Sequence, residues 1–207
     1  MKNRIAILLV LAAAGCRIKN NASLIITKMI PPTATALGSG LAQQLGCTFD
    51  PASPEFTPDL AFNPLETRGR IGAVVNNTSA TTAAVNPVLR TDASTFLPHQ
   101  AVVTYEFINA GGATAPSGET IVPTSGIEVP SSSSAVVGVA IFSGVNFTGF
   151  PNGGFVRTTM HLEGKLVDGS TVHTSEREYL FQICTTPGCS NGGPWTATVN
   201  GGTQSCL

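Results

Sequence analysis

The residues with chemistry to offer are three histidines, one tryptophan, a few loop phenylalanines and the cysteines. His161 is expected to face solvent beside Glu163 on one strand, and His173 to sit near Gly164 across a hairpin. His99 follows Pro98 where another strand begins. Two imidazoles could share a metal ion, but no carboxylate or third His stands at a recognisable ligand spacing. The three therefore read as polar surface residues, with no metal and no other cofactor expected. Acyl transfer needs a serine, a base and an orienting acid that converge in space, and the chain has no Gly-x-Ser-x-Gly, Gly-x-x-x-x-Gly-Lys, His-Glu-x-x-His or EF-hand motif. Glycoside hydrolysis needs two carboxylates across a cleft; the 12 acidic residues are scattered and mostly flank turns. The expectation is a protein that is not an enzyme. Binding is a different matter, because stacked rings suit sugars and loops on a rigid scaffold carry function. Trp195, in Gly192-Gly193-Pro194-Trp195, could form a platform with Phe147 and Phe150 of the Gly-rich loop 144–154. The plainer reading is that the lone Trp caps an open end of the fold.

Cys16 belongs to an address. Lys2 and Arg4 precede the apolar run Ile5 to Ala14, and small residues lead into the Cys as Ala13-Ala14-Gly15-Cys16. That is the pattern of a secretion signal. The run is about half the roughly 20 residues that a helix needs to cross a bilayer core. Ala13-Ala14-Gly15-Cys16 resembles the lipobox of bacterial lipoproteins, in which a diacylglycerol is joined to the thiol and cleavage occurs before the Cys. The resemblance implies lipidation at Cys16. Ala13 stands where Leu or another branched aliphatic is usual, so ordinary cleavage without lipid is the alternative. A single myristoyl-length chain binds only marginally, whereas two or three chains hold. Loss of Lys2 and Arg4 leaves 9 basic residues against 12 acidic ones, a formal balance of −3 with little attraction for anionic surfaces. Arg17, rather than Asp, follows the Cys. In Gram-negative lipoproteins that implies the outer membrane, with periplasmic or surface facing left open.

Export changes the reading of the remaining cysteines, Cys47, Cys184, Cys189 and Cys206. An even number in an oxidising compartment suggests two disulfides, with three possible connectivities. The Pro187-Gly188 turn could bring Cys184 and Cys189 within the Cα separation of about 4.4 to 6.8 Å that a bridge requires. Alternatively Cys189 and Cys206 close the C-terminal loop and Cys47 ties the early chain to Cys184. Zinc fits poorly, since no His lies near.

The elements that must carry these residues are strands. The 207 residues are 42% hydrophobic, enough for a core, and only 11% charged, with 11 basic and 12 acidic residues overall. Disorder and a nucleic-acid footprint are both excluded by that balance. Counting along the chain gives 25 Thr and 16 Ser beside 22 Gly and 14 Pro, a composition of strands and turns. Candidate strands are 24–30, 45–49, 70–75 ending at Asn76-Asn77, 101–108, 120–123, 126–129, 135–142 and 156–166, with a return strand from Val172 to Cys184. Alternation puts Ala101, Val103, Tyr105 and Phe107 on one face, and Val156, Thr158, Met160 and Leu162 on another. Asp168-Gly169 is a favoured turn. A two-residue turn pairs Met160 with Arg177 and places Arg177 on the apolar side, so a G1-bulge turn or a bulge near 175–178 is expected to shift the register and admit Tyr179, Phe181 and Ile183 to the core. Segment 33–44 reads as a loop. The fold class is all-β, an antiparallel immunoglobulin-like sandwich of about seven to nine strands. Residues 1–15 are the signal peptide, 16–22 the lipidated Cys and a short tether, and 23–207 one domain with a Cys-containing extension.

The order of features, from the lipobox through an early Cys to Leu162-Glu163-Gly164-Lys165-Leu166-Val167-Asp168-Gly169-Ser170-Thr171-Val172 and then Cys184 and Cys189, resembles the uncharacterised lipoproteins of myxobacteria and related bacteria. The resemblance implies a sandwich at the cell envelope and carries no activity. The functional expectation is a non-enzymatic, lipid-anchored envelope protein with a structural or interaction role, whose partners are the membrane and either an envelope protein or a glycan, and no nucleic acid. The alternative is a surface carbohydrate-binding module.

Overall fold

The computed structural model describes residues 19–20, 23–30, 34–35, 44–45, 49–55, 61–62, 70–79 and 93–183. The strands in chain order are β1 (Lys19–Asn20), β2 (Leu24–Ile30), β3 (Ala34–Thr35), β4 (Gln44–Leu45), β5 (Ala61–Phe62), β6 (Ile71–Asn77), β7 (Phe96–Ile108), β8 (Thr120–Pro123), β9 (Ser133–Val139), β10 (Gly154–Leu166), β11 (Thr171–His173) and β12 (Arg177–Ile183). No helix occurs among the described residues. Eight strands of three or more residues form two antiparallel sheets. One has the order β2-β6-β9, and in the other β7 lies between β8 and β10, whose far edge is shared by β11 and β12. Among the long strands the first, second and fifth make one sheet and the rest make the other. The first, second and fifth strands thus share a sheet as A, B and E do in an immunoglobulin-like sandwich, while the fourth, β8, pairs with the third instead of joining them.

Alternation builds the core. Leu24, Ile26, Ile71, Ala73, Val75, Val137 and Val139 of the smaller sheet face Ala101, Val103, Tyr105, Val156, Met160, Leu162, Phe181 and Ile183 of the larger one, all buried. Burial of each aliphatic or aromatic side chain contributes about 1.5 to 3 kcal/mol. The sheets are also stitched at both margins. Ser125 N–H donates to Gly138 O (2.8 Å) and Ala140 N–H to Pro123 O (3.2 Å), which joins the end of β8 to β9. At the opposite margin Ser175 N–H donates to Leu24 O at 2.9 Å.

Several strands differ in extent from the sequence reading. β7 begins at Phe96 rather than Ala101 and pairs with β10 at twelve positions. Its register shifts between Glu163 and Gly164, so His99 is the extra residue of a bulge and is exposed. The expected strand 126–129 is an extended loop in which only Val129 pairs, through mutual hydrogen bonds with Phe96. Segment 135–142 is strand only to Val139, beginning earlier at Ser133. Expected strand 45–49 is a two-residue pairing of β4 with β3, and Phe49 has left the ladder to lie across β6 and β9. There Gly72 and Gly138 are direct partners, and a Cβ on Gly72 would stand 2.7 Å from the Phe49 ring. The paired glycines make the slot that the ring fills. Lys28 Nζ, donating to Ser53 O at 3.0 Å, holds the same segment down.

The return strand is broken in two, which resolves the register. Gly169, at φ 87°, closes a G1-bulge turn in which Gly169 N–H donates to Leu166 O (2.8 Å) and Leu166 N–H to Ser170 O (2.9 Å). β11 then pairs His173 with Glu163, not with Gly164. Residues 174–176 contain one residue more than the opposing 161–162, and β12 returns to the pairing of Met160 with Arg177. Thr174 fills the break: its N–H donates to Leu162 O (2.9 Å), and its buried hydroxyl accepts the Leu162 N–H (3.0 Å). The expectation that Arg177 must leave the apolar parity was mistaken. Tyr179, Phe181 and Ile183 share its parity and are buried, while the Arg177 guanidinium sits at the margin and reaches Glu55 at 3.0 Å.

Candidate functional site

The outer face of the larger sheet gathers the polar side chains of the hairpin. The one-residue shift at the G1 bulge puts His173 directly across from Glu163, and strand alternation puts His161 two residues from Glu163 on the same face. The two imidazole centroids are 5.0 Å apart. His161 Nε2 stands 3.6 Å from Glu163 Oε1, with the two side chains only 17% and 15% exposed. Gln100, the β7 partner of Glu163, donates from Nε2 to its other oxygen at 2.6 Å. His173 Nδ1 lies 2.9 Å from Thr174 O, and since a carbonyl oxygen can only accept, the ring donates from Nδ1. Glu163 is thus held by Gln100 with both imidazoles beside it, an arrangement that offers hydrogen-bond donors and acceptors to a polar partner. Among the described residues no group of three or more His, Cys, Asp and Glu is placed to hold a metal ion. Gln100 is the member that sequence reasoning missed; its signal, pairing with Glu163, is hidden by the bulge at His99.

Farther along the same face Arg157 bridges two acids, with Nη1 at 2.7 Å from Glu106 Oε2 and Nε at 3.3 Å from Glu178 Oε1. All three are exposed side chains, a setting in which ion pairs contribute about 0–1 kcal/mol.

The rings proposed for sugar stacking are placed differently from one another. Phe150 is 4% exposed and belongs to the core, where its ring meets Phe107 edge-on at 5.0 Å and Phe147 at 5.6 Å. Gly154 permits this, because a Cβ there would stand 2.6 Å from the Phe150 ring. Phe147 is half-buried, stacked on Phe107 at 5.8 Å and edge-on to Phe142 at 5.4 Å. Together with Phe181 and both tyrosines these rings close one end of the sandwich. Burial holds the Tyr105 phenol well above its usual value, and its hydroxyl donates to Ile141 O. Tyr179 is raised first by burial and then by the Glu55 charge, with Arg177 pulling the other way.

Cys16, Cys47, Cys184, Cys189, Cys206 and Trp195 lie outside the described residues. No helix among the described residues is long and apolar enough to cross a membrane. Comparison of the chain with protein-family models, with curated proteins and with solved structures finds no match.

Proposed function

We propose that this chain is a non-enzymatic lipoprotein of a bacterial envelope, held at the outer membrane through acylated Cys16, in which the sandwich serves as a structural or interaction module. On this reading it is a lipoprotein of the myxobacterial type that its features resemble. The observation that carries the reading is the sequence Ala13-Ala14-Gly15-Cys16 behind a short basic and apolar leader, followed from Leu24 by a sandwich. The body suits the role. Its two 13-residue strands are paired over nearly their whole length, and hydrogen bonds at both margins tie the sheets together. Closed margins discourage strand addition by other chains, which leaves loops and outer faces for recognition.

Intact-mass analysis of the protein from membranes tests the anchor. Two or three acyl chains on an N-terminal Cys16 are expected, and a Cys16→Ala variant that is no longer membrane-bound. A mature N-terminus without acyl mass overturns the reading. Crosslinking in the native envelope then identifies neighbours. The carbohydrate reading rests on Trp195 and the half-buried Phe147, since Phe150 is built into the core. Glycan-array binding that Trp195→Ala abolishes would install it instead.

A further inference from the structure

The short strand β1 lies at the margin of the larger sheet and runs parallel to β11, with Lys19 opposite Val172 and Asn20 opposite His173. A parallel strand shares its neighbour's direction, so the chain arrives at Lys19 from the side on which Thr171 and the hairpin turn lie. Three peptide steps separate Cys16 from Lys19, a reach of at most about 11 Å. Lys19 and Asn20 are held in register against β11, which fixes where the chain joins this margin. We propose that, on the anchored reading given above, the β10–β11 turn at 166–171 is seated in the lipid headgroup layer, with the Val167 side chain dipped into it.

The turn has the surface for this contact. Val167 is one of four large hydrophobic side chains exposed among the described residues, at 40%. Its backbone is fixed by donation to Thr95 O (3.2 Å), so the side chain is presented rather than free to fold back. Lys165 is exposed just beside it, within reach of lipid phosphates. The acidic residue of the turn, Asp168, is already engaged, since its Oδ1 accepts from Ser170 N–H at 2.8 Å and Ser170 Oγ at 2.6 Å. Seating this end fixes the other. β7 and β10 run from the turn to the opposite end over 13 residues each, about 40 Å at 3.3 Å per residue. Loops 109–119 and 143–153, with the aromatic end of the core beneath them, then point away from the membrane and meet the partners.

The test uses the full protein, purified from membranes and reconstituted in vesicles of phosphatidylethanolamine and phosphatidylglycerol with a fraction of brominated lipid. Two reporters are compared in a Trp195→Phe background: Val167→Trp at the turn and Thr114→Trp in the exposed loop at the far end. Quenching at least about twofold stronger for the turn reporter is expected, because a group held within some 5–10 Å of the acyl boundary meets the bromines. Amide exchange on the unaltered protein gives a second readout: residues 166–171 slow when the protein is vesicle-bound and 143–153 do not. Equal quenching with unchanged exchange at 166–171, or stronger quenching at Thr114→Trp, overturns the orientation. The acyl mass of the same samples separates the two ideas. Acylated Cys16 with equal quenching defeats the seating alone, whereas absence of acyl mass defeats the anchor and the seating with it.

Discussion

The Asn77 side-chain amide donates to Val129 O at 3.1 Å and to Ser94 O at 2.8 Å, with Asn77 itself fully buried. Its oxygen accepts the Ser79 N–H at 3.1 Å. One side chain at the end of β6 thus ties together the chain leading into β7 and the loop leading into β9. An unmet buried polar group costs about 1–3 kcal/mol, and Val129 O keeps a second donor in Phe96 N–H. Asn77→Ala is expected to lower the unfolding free energy by about 2–4 kcal/mol. Urea denaturation measures this, and a loss under about 0.5 kcal/mol, the scale of a neutral surface change, would show that the tie contributes nothing.

Gly164 sets the bulge that carries His99. A Cβ there would collide with the Leu97 carbonyl oxygen and stand 2.6 Å from the Phe96 ring. Backbone cannot rotate aside as a flexible side chain can, so Gly164→Ala is expected to cost about 3 kcal/mol or more, in the range of severe overpacking. Gly118→Ala is the control. Its φ is +74° but nothing lies within 4 Å of the added carbon, so only the left-handed conformation is penalised, at about 1–2 kcal/mol. Equal losses for the two variants would refute the collision.

The sandwich was legible because alternation is local: Ala101, Val103 and Tyr105 announce a buried face from within eight residues of sequence. What was not legible depends on partners. The start of β7 at Phe96 is concealed by Pro98 and His99, which break the pattern where the bulge lies. The split of the return strand is concealed because Thr174 looks like an ordinary strand residue until Leu162 N–H is found without a strand carbonyl opposite. The His161–Glu163–Gln100 grouping joins residues 63 positions apart, and a one-residue register change would disperse it. Phe150 shows the same limit for aromatics, since a ring in a glycine-rich loop reads as exposed until Gly154 opens room beneath it.

Both of the chain's tyrosines, Tyr105 and Tyr179, are held neutral by burial, with folded values raised above the ordinary 10.0. The sign follows directly. A phenol whose folded value is raised contributes stability that is fully present below pH 10 and is lost as the pH climbs past the unfolded value toward the folded one. Alkaline unfolding should therefore begin above pH 10 and be cooperative, with phenolate absorbance near 295 nm rising together with the loss of far-ultraviolet strand signal. Tyr105→Phe should move that transition to higher pH. A phenolate signal that develops at pH 10 while the fold is intact would contradict the burial of these rings.

Reduction bears on the four cysteines downstream of the address. If Cys47, Cys184, Cys189 and Cys206 form two bridges, each is worth about 2–4 kcal/mol, and the reduced protein should melt well below the oxidised one. Thiol counting under denaturing conditions gives the state directly. Four reactive thiols in freshly isolated protein, or unchanged melting with reductant, would remove both bridges from the account.

Phe150 and Phe147 separate a packing role from a recognition role. Phe150 is nearly buried and contacts two rings, so truncation removes a large core side chain and leaves a cavity; Phe150→Ala should cost about 3–5 kcal/mol. Phe147 is half-buried on the open side of the same cluster, so Phe147→Ala should cost about half as much, because less apolar area is lost. Any ligand that these rings bind must reach Phe147 first. Loss of glycan binding in Phe147→Ala, measured well below its melting temperature where the variant is still folded, would assign that ring to recognition. Loss of stability without any binding signal in the parent protein assigns both rings to closing the end of the core.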